Sequence, residues 1–118
     1  MSETTIYHNP RCSKSRQTLA LLEEHGVTPN VVLYLETPPD RKTLVDIIER
    51  LGITPRDLLR KGEESYKTLG LADTSLADDK ILEAMLKAPI LIERPIVVRG
   101  KKAALGRPPE NVLALIDS

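Results

Sequence analysis

Thr4-Thr5-Ile6-Tyr7-His8-Asn9-Pro10-Arg11-Cys12-Ser13-Lys14-Ser15 opens as a β-prone run and changes character at Pro10, and the fold turns on how the chain goes on from there. Thr4 to Tyr7 favour an extended backbone. His8-Asn9-Pro10 is a loop signal, because Pro cannot donate to a ladder and Asn favours turns. From Ser13 the pattern is helical: Leu19 and Leu22 recur at helical spacing, while Lys14, Arg16, Glu23 and Glu24 mark a wet face. His25-Gly26 is a helix stop, with Gly suited to the left-handed cap. Val31-Val32-Leu33-Tyr34-Leu35 is a near-continuous apolar run, the pattern expected of a strand buried on both faces. Strand, helix and second strand within about 30 residues predict a βαβ unit.

Beyond it, Thr37-Pro38-Pro39-Asp40 breaks the chain, and Asp40 or Thr37 is placed to cap a helix through Leu44, Ile47, Ile48 and Leu51 that stops at Gly52. Thr54-Pro55 reads as a cap followed by Pro in the first helical turn, leading a short helix to Arg60. Residues 65–71 are weakly helical. Asp78 or Ser75 starts a further helix with Ile81, Leu82, Met85 and Leu86, ended before Pro89. Ile96-Val97-Val98 is a third strand, 99–102 a turn, and Ala103-Ala104-Leu105 its hairpin partner. Pro108-Pro109-Glu110 opens a last helix striped by Val112, Leu113 and Ile116. The order predicts an α/β domain over residues 1–118, with a mixed four-stranded sheet flanked by helices and a helical insertion at about 40–90.

Composition sets limits on what such a domain does. The 118 residues are 41% hydrophobic and 29% charged, which is enough to bury a core without a metal or disulfide. Lys plus Arg and Asp plus Glu are both 17, so the formal net charge is zero. Generic binding to nucleic acid or to an anionic membrane would call for a basic excess. The aromatics are three tyrosines, too few for a base-stacking platform. No apolar run is long enough to span a bilayer, and the start Met-Ser-Glu-Thr-Thr has no signal-peptide character. One cysteine excludes an intramolecular disulfide and a cysteine-rich metal site. A reducing, cytoplasmic setting is expected.

That cysteine stands where chemistry is possible. Cys12 falls between the end of the first strand and the start of the first helix, where backbone N–H groups lack partners and the macrodipole is positive. A free thiol has a pKa of about 8.5, and a helix N-terminus with cationic neighbours lowers it. Arg11, Lys14, Arg16 and His8 are close in sequence. The alternative is a buried structural cysteine, against which the polar loop around it argues. Position 15, where C-x-x-C would put a second thiol, is Ser15, so any redox cycle at Cys12 needs an external thiol. A C-x5-R phosphatase loop would need Arg at position 18, which is Thr18, and no G-x-x-x-x-G-K-[ST] is present. His8 is either an ordinary strand-end residue or a partner of the thiolate. Ser15 either caps the helix or hydrogen-bonds the sulfur. Arg60, Arg94 and Arg107 each sit at an element boundary, from which planar, always-charged forks can converge on a tetrahedral oxyanion. Taken singly, each is also an ordinary solvated or ion-paired charge, and Glu93 beside Arg94 fits that reading. Pro95 opens a strand beside the cysteine, where thioredoxin-type folds keep a cis peptide bond, although only about 5–6% of X–Pro bonds are cis in general.

Several segments together resemble one family. The run Ile6-Tyr7-His8-Asn9-Pro10-x-Cys12-x-x-Ser15-Arg16 looks like the opening of the glutaredoxin-coupled arsenate reductases. Leu33-Tyr34-Leu35-Glu36-x-Pro38-Pro39, Leu58-Leu59-Arg60-Lys61, Arg94-Pro95-Ile96-Val97-Val98 and Gly106-Arg107-Pro108 resemble later segments of the same family, so the likeness runs along essentially the whole chain. It implies a thioredoxin-like fold with a helical insertion. It also implies reduction of arsenate to arsenite, with Cys12 as nucleophile, His8 activating the thiol, and Arg60, Arg94 and Arg107 binding the oxyanion. No bound cofactor is implied. Glutathione would be the co-substrate, glutaredoxin the protein partner, and the chain a monomer with neither nucleic acid nor membrane as partner. Two other readings stay open. One is an Spx-like redox-sensitive regulator, many of which carry the C-x-x-C that this chain lacks. The other is a glutathione-dependent thiol transferase whose arginines bind glutathione's carboxylates.

Overall fold

The computed structural model describes residues 3–116. They form two compact units: one made of the chain up to Thr37 together with the chain from Arg94 onward, the other of Pro38–Glu93.

The first unit is built on a four-stranded mixed sheet. Strand β1 (Thr4–His8) is central, β2 (Asn30–Leu33) runs parallel to it, and β3 (Ile96–Arg99) and β4 (Lys102–Leu105) are antiparallel, in the order β2-β1-β3-β4. Helix α1 (Ser13–Glu24) connects the two parallel strands, which is what parallel pairing requires. It ends in a Schellman pattern: Val27 N–H reaches the Leu22 carbonyl, Gly26 N–H reaches that of Glu23, and Gly26 takes a φ of 78°. The unit's core joins Ile6 and Val97, register partners on β1 and β3, to Leu22 of α1 and to Val112 and Leu115 near the C-terminus.

The last segment is less helical than its stripe suggests. Among the described residues, a 3-10 turn over Pro109–Val112 precedes a single turn of α5 (Leu113–Ile116). β2 also departs from the expectation of a strand buried on both faces. It is an edge strand, with Val31 47% exposed, and the chain turns at Leu33, whose carbonyl accepts from the Glu36 and Thr37 N–H groups. Tyr34, which reads as part of the strand, lies in that turn and is buried. A continuous apolar run does not distinguish a central strand from an edge strand whose following turn drops a large side chain into the interior.

The second unit is helical. In α2 (Arg41–Leu51), Asp40 is the N-cap and accepts from Thr43 N–H at 2.8 Å. Thr54 and Asp57 form a reciprocal capping box, but it opens a 3-10 turn (Pro55–Leu58) and not an α-helix. A short α3 (Glu64–Thr68) and then α4 (Asp78–Lys87) follow. Of the two expected starts, α4 begins at Asp78: its N-cap is Ala77, Ser75 is tied to Asp73, and Asp78 with Asp79 supplies negative charge to the first turn. Leu44, Ile47, Leu58, Ile81, Met85 and Leu91 are buried here.

Gly106 governs how the end of β4 approaches α1 and Pro95. Its N–H donates to the Pro95 carbonyl at 2.9 Å, and its own carbonyl accepts from Thr18 Oγ1 at 3.3 Å. A Cβ at this position would run into the Thr18 side chain and into Pro95 Cγ. Gly106→Ala is therefore expected to cost about 1–3 kcal/mol of stability by overpacking, read as a lower midpoint in urea unfolding. Adding Thr18→Ala to that variant should recover part of the loss; an unchanged midpoint in Gly106→Ala would show that the approach is not tight.

Candidate active site

The buried face of α1 is partly polar. Ser15, Thr18 and Leu22 point inward, and a buried hydroxyl needs partners. Thr18 Oγ1 finds the Lys14 carbonyl at 2.8 Å as well as that of Gly106. Ser15 Oγ accepts from Asn9 N–H at 3.1 Å and lies 2.6 Å from His8 Nδ1, with the tautomer deciding which of the two donates. His8 thus meets Ser15; the sequence had left it either an ordinary strand-end residue or a partner of the thiolate. It is 6% exposed, and burial followed by the charge of Arg16 holds its pKa below the ordinary 6.5, which favours the neutral imidazole.

The loop between β1 and α1 is tightly tied. Asn9 Oδ1 accepts from Arg11 N–H at 3.0 Å, an Asx turn, and the Asn9 carbonyl accepts from Cys12 N–H at 3.0 Å. Arg16 reaches back to donate to the Pro10 carbonyl at 2.8 Å. The Asn-Pro pair signalled a loop, but the folding of the Asn9 amide onto it, and the clamp by Arg16, were not readable from spacing.

Cys12 is the N-cap residue of α1 and is half-buried. Burial raises its pKa. The backbone N–H of Ser15, a hydrogen bond from the Arg94 side chain, the backbone N–H of Lys14 and the charge of Arg94 pull it down, and the lowering wins. The N–H groups act as unsatisfied helix-start dipoles facing the sulfur; no bond of capping geometry forms. Because Ser15 is held from behind by His8 and Asn9, the N–H that it turns toward Cys12 is held as well.

Two of the three arginines meet at this sulfur. Arg94 is 8% exposed and follows directly on the second unit's last residue. Arg107 Nη1 stands 3.8 Å from Cys12 Sγ and donates to the Arg94 carbonyl at 3.3 Å. The Arg94–Pro95 and Arg107–Pro108 peptide bonds are both cis. Arg60 belongs to the second unit. There Arg60 N–H donates to the Leu91 carbonyl at 2.8 Å, and its guanidinium pairs with Glu93 at 2.5 Å and approaches Glu63 at 3.9 Å. Glu93, adjacent to Arg94 in sequence, is thus a partner of Arg60. Among the described residues no group of three or more His, Cys, Asp or Glu is arranged to hold a metal ion, and no helix is long and apolar enough to cross a membrane.

A family model described as the ArsC family matches residues 7–115. The chain is 56% identical over 115 residues to "Uncharacterized protein YfgD" of Escherichia coli K12, covering 97% of each. It is 50% identical over 117 residues to a protein of Neisseria meningitidis named arsenate reductase, covering 98% of this chain and 100% of that one. Among solved structures, that titled arsenate reductase from Vibrio cholerae superposes with a TM-score of 0.94 at 50% identity, covering 97% of this chain and 98% of the other.

The lowered thiol pKa predicts that the pH profile of Cys12 alkylation by iodoacetamide has its midpoint below that of an ordinary thiol, and that Arg94→Met moves it up. A profile indifferent to Arg94 would contradict the assignment. His8 gives a second test. Its folded pKa lies below its unfolded value, so the unfolded chain takes up the proton first. Stability should therefore fall as pH drops below about 6.5, levelling off at the folded pKa. His8→Gln should lack that limb in urea titrations across the range.

Proposed function

The chain belongs to the ArsC family, and on that premise we propose that it reduces arsenate to arsenite with Cys12 as nucleophile and with glutathione and glutaredoxin as the source of electrons. Its mixed sheet with flanking helices is the thioredoxin-like fold of that family. The observation that carries the proposal is the position of Arg107 Nη1, 3.8 Å from a sulfur whose pKa is already lowered by Arg94 and by the helix start. A thiolate attacking an oxyanion meets charge repulsion before it meets any bond-making barrier. Fixed guanidinium groups in a partly desolvated site offset that repulsion without having to reorganise.

In the proposed reaction the Cys12 thiolate forms a sulfur–arsenic bond, and one arsenate oxygen leaves as water after protonation. Glutathione's thiolate then attacks the Cys12 sulfur. A disulfide forms between them, and the electron pair of the sulfur–arsenic bond passes to arsenic, which leaves as arsenite. Two thiol sulfurs have then each lost one electron and arsenic has gained two. A glutaredoxin thiol attacks the mixed disulfide, carries off the glutathione sulfur and returns Cys12 as thiolate. Cys12 is the chain's sole cysteine, so no resolving thiol is available internally and the external pair is needed. Arg94 and Arg107 hold the arsenate oxygens, and His8 and Ser15 keep the helix start aligned on the sulfur. Arg60 is assigned as a third oxyanion-binding arginine on the family resemblance of Leu58-Leu59-Arg60-Lys61 alone. All these groups belong to one chain, which supports a monomer as the working unit, and the reductants place the reaction in a reducing cytoplasm.

The test is an arsenate assay with glutathione and glutaredoxin supplied singly and together. Turnover is expected only with both, and Cys12→Ser should abolish it while leaving the circular dichroism spectrum unchanged. Arg107→Ala should lower kcat/KM for arsenate by about 10²–10³-fold, and Arg60→Ala should raise the arsenate KM. Full activity in Cys12→Ser refutes the mechanism. Reduction of small mixed disulfides with indifference to arsenate would assign the chain to thiol transfer.

A further inference from the structure

Beside the Cys12 loop the first unit holds a second feature that the steps above do not use. A cavity of about 470 Å³ is lined on one side by the loop 8–11 and on the other by Leu33, Leu35 and Glu36 at the exit of the edge strand β2. Its volume lies in the range of small-molecule sites. Its lining carries two opposite charges, Arg11 and Glu36. Both residues are exposed, and among the described residues neither side chain makes an ion pair or hydrogen bond, with each other or with any neighbour. Pro10, Leu33 and Leu35 supply apolar walls between them. An unpaired cation and an unpaired anion on one apolar-walled cavity are suited to a zwitterion of moderate size. The placement is also right for a reactant of Cys12. Arg11 is its chain neighbour, so the wall ends one Cα step, about 3.8 Å, from the residue that bears the sulfur. The Asn9 carbonyl, receiving Cys12 N–H at 3.0 Å, ties that wall to Cys12.

We propose that this cavity is the subsite for the thiol co-substrate, a tripeptide with a free α-amino acid end. Glu36 receives its α-ammonium group, Arg11 one of its carboxylates, and Pro10 with the two leucines its methylene chain. The proposal rests on the reductase reading, since it assigns glutathione as the thiol. It adds the place from which that thiol reaches the Cys12 sulfur: the β2-exit side of the loop, with Arg107 on the sulfur as a separate contact for the oxyanion.

The experiment uses S-methylglutathione, which cannot react, titrated into the isotope-labelled full chain and followed by amide chemical shifts. Saturable shifts are expected at Arg11 and at residues 33–36. Glu36→Lys should weaken this affinity and raise the KM for glutathione, each by about tenfold, the usual scale for losing one charge-assisted contact. It should leave unchanged the protection of Cys12 by arsenate against iodoacetamide. Shifts confined to other parts of the chain, or a Glu36→Lys protein with unaltered affinity and KM, overturn the proposal. So does a raised KM for glutaredoxin with unaltered S-methylglutathione affinity, which would make the cavity part of a protein-docking surface. If arsenate gives no protection in the wild-type chain while S-methylglutathione still seats at residues 33–36, the arsenate reading falls and the subsite stands.

Discussion

A sulfur whose thiolate form is favoured against its own burial is the constraint that the first unit is arranged around. Burial is the largest single influence on the Cys12 thiol, and it favours the neutral form. Only a convergence of donors reverses it, and those donors come from two places in the chain: the first turn of α1, through Lys14 and Ser15 N–H, and the segment leading into β3, through Arg94. A charged hydrogen bond in a partly desolvated place is worth more than the same bond in water. The half-burial that opposes the thiolate therefore also strengthens the groups that hold it. A more exposed sulfur would lose that strengthening, and a fully buried one would be out of a substrate's reach.

The donors stay aligned because the backbone behind them is fully committed. Ser15 is pinned through its hydroxyl by Asn9 and His8, and Thr18, one helical turn on, by Lys14 and Gly106. Gly106 in turn is bonded to the Pro95 carbonyl, so α1, the start of β3 and the end of β4 meet at one crowded point. Arg94 and Arg107 project from the residues immediately flanking that point. Their approach to Cys12 follows from main-chain packing. A neutral His8 suits this arrangement: as a buried hydrogen-bonding partner of Ser15 it fixes the helix start without adding a cation that would need its own counter-charge.

Much of this was legible in the sequence, for reasons that can be named. β-prone and apolar runs located the strands, and helical spacing the main helices, because residues such as Ile6, Leu22 and Val97 are drawn into a core. Gly26 and Gly52 marked helix ends because both take positive φ. Cys12 stood out because a strand-loop-helix passage puts a side chain at a helix N-terminus. What stayed hidden was long-range or depended on context. An apolar run at 31–35 does not reveal that β2 has a neighbour on one side only. Of Ser75 and Asp78, both open as helix starts, the helix begins at Asp78, while Ser75 bonds to Asp73, a choice that the spacing did not make. The spacing left His8 open between a strand-end role and a partner of the thiolate, and its contact with Ser15 is visible only in the folded loop. Neither the meeting of Arg94 and Arg107 at the sulfur nor the pairing of Arg60 with Glu93 could be counted off a spacing.

Charge makes the same point from another direction. A chain with 17 basic and 17 acidic residues has no overall pull on anions, and the composition argues against any polyanion-binding role. Yet screening limits each charge to a reach of about 8 Å at physiological ionic strength, so a site responds to its neighbours and not to the sum. At Cys12 the cations that act locally are Arg94 and Arg107 at the sulfur, with Arg16 clamping the loop. In the second unit, Arg60 is matched by Glu93 and Glu63. Zero net charge then describes only a sum, and the cations beside Cys12 act on the sulfur whatever that sum is.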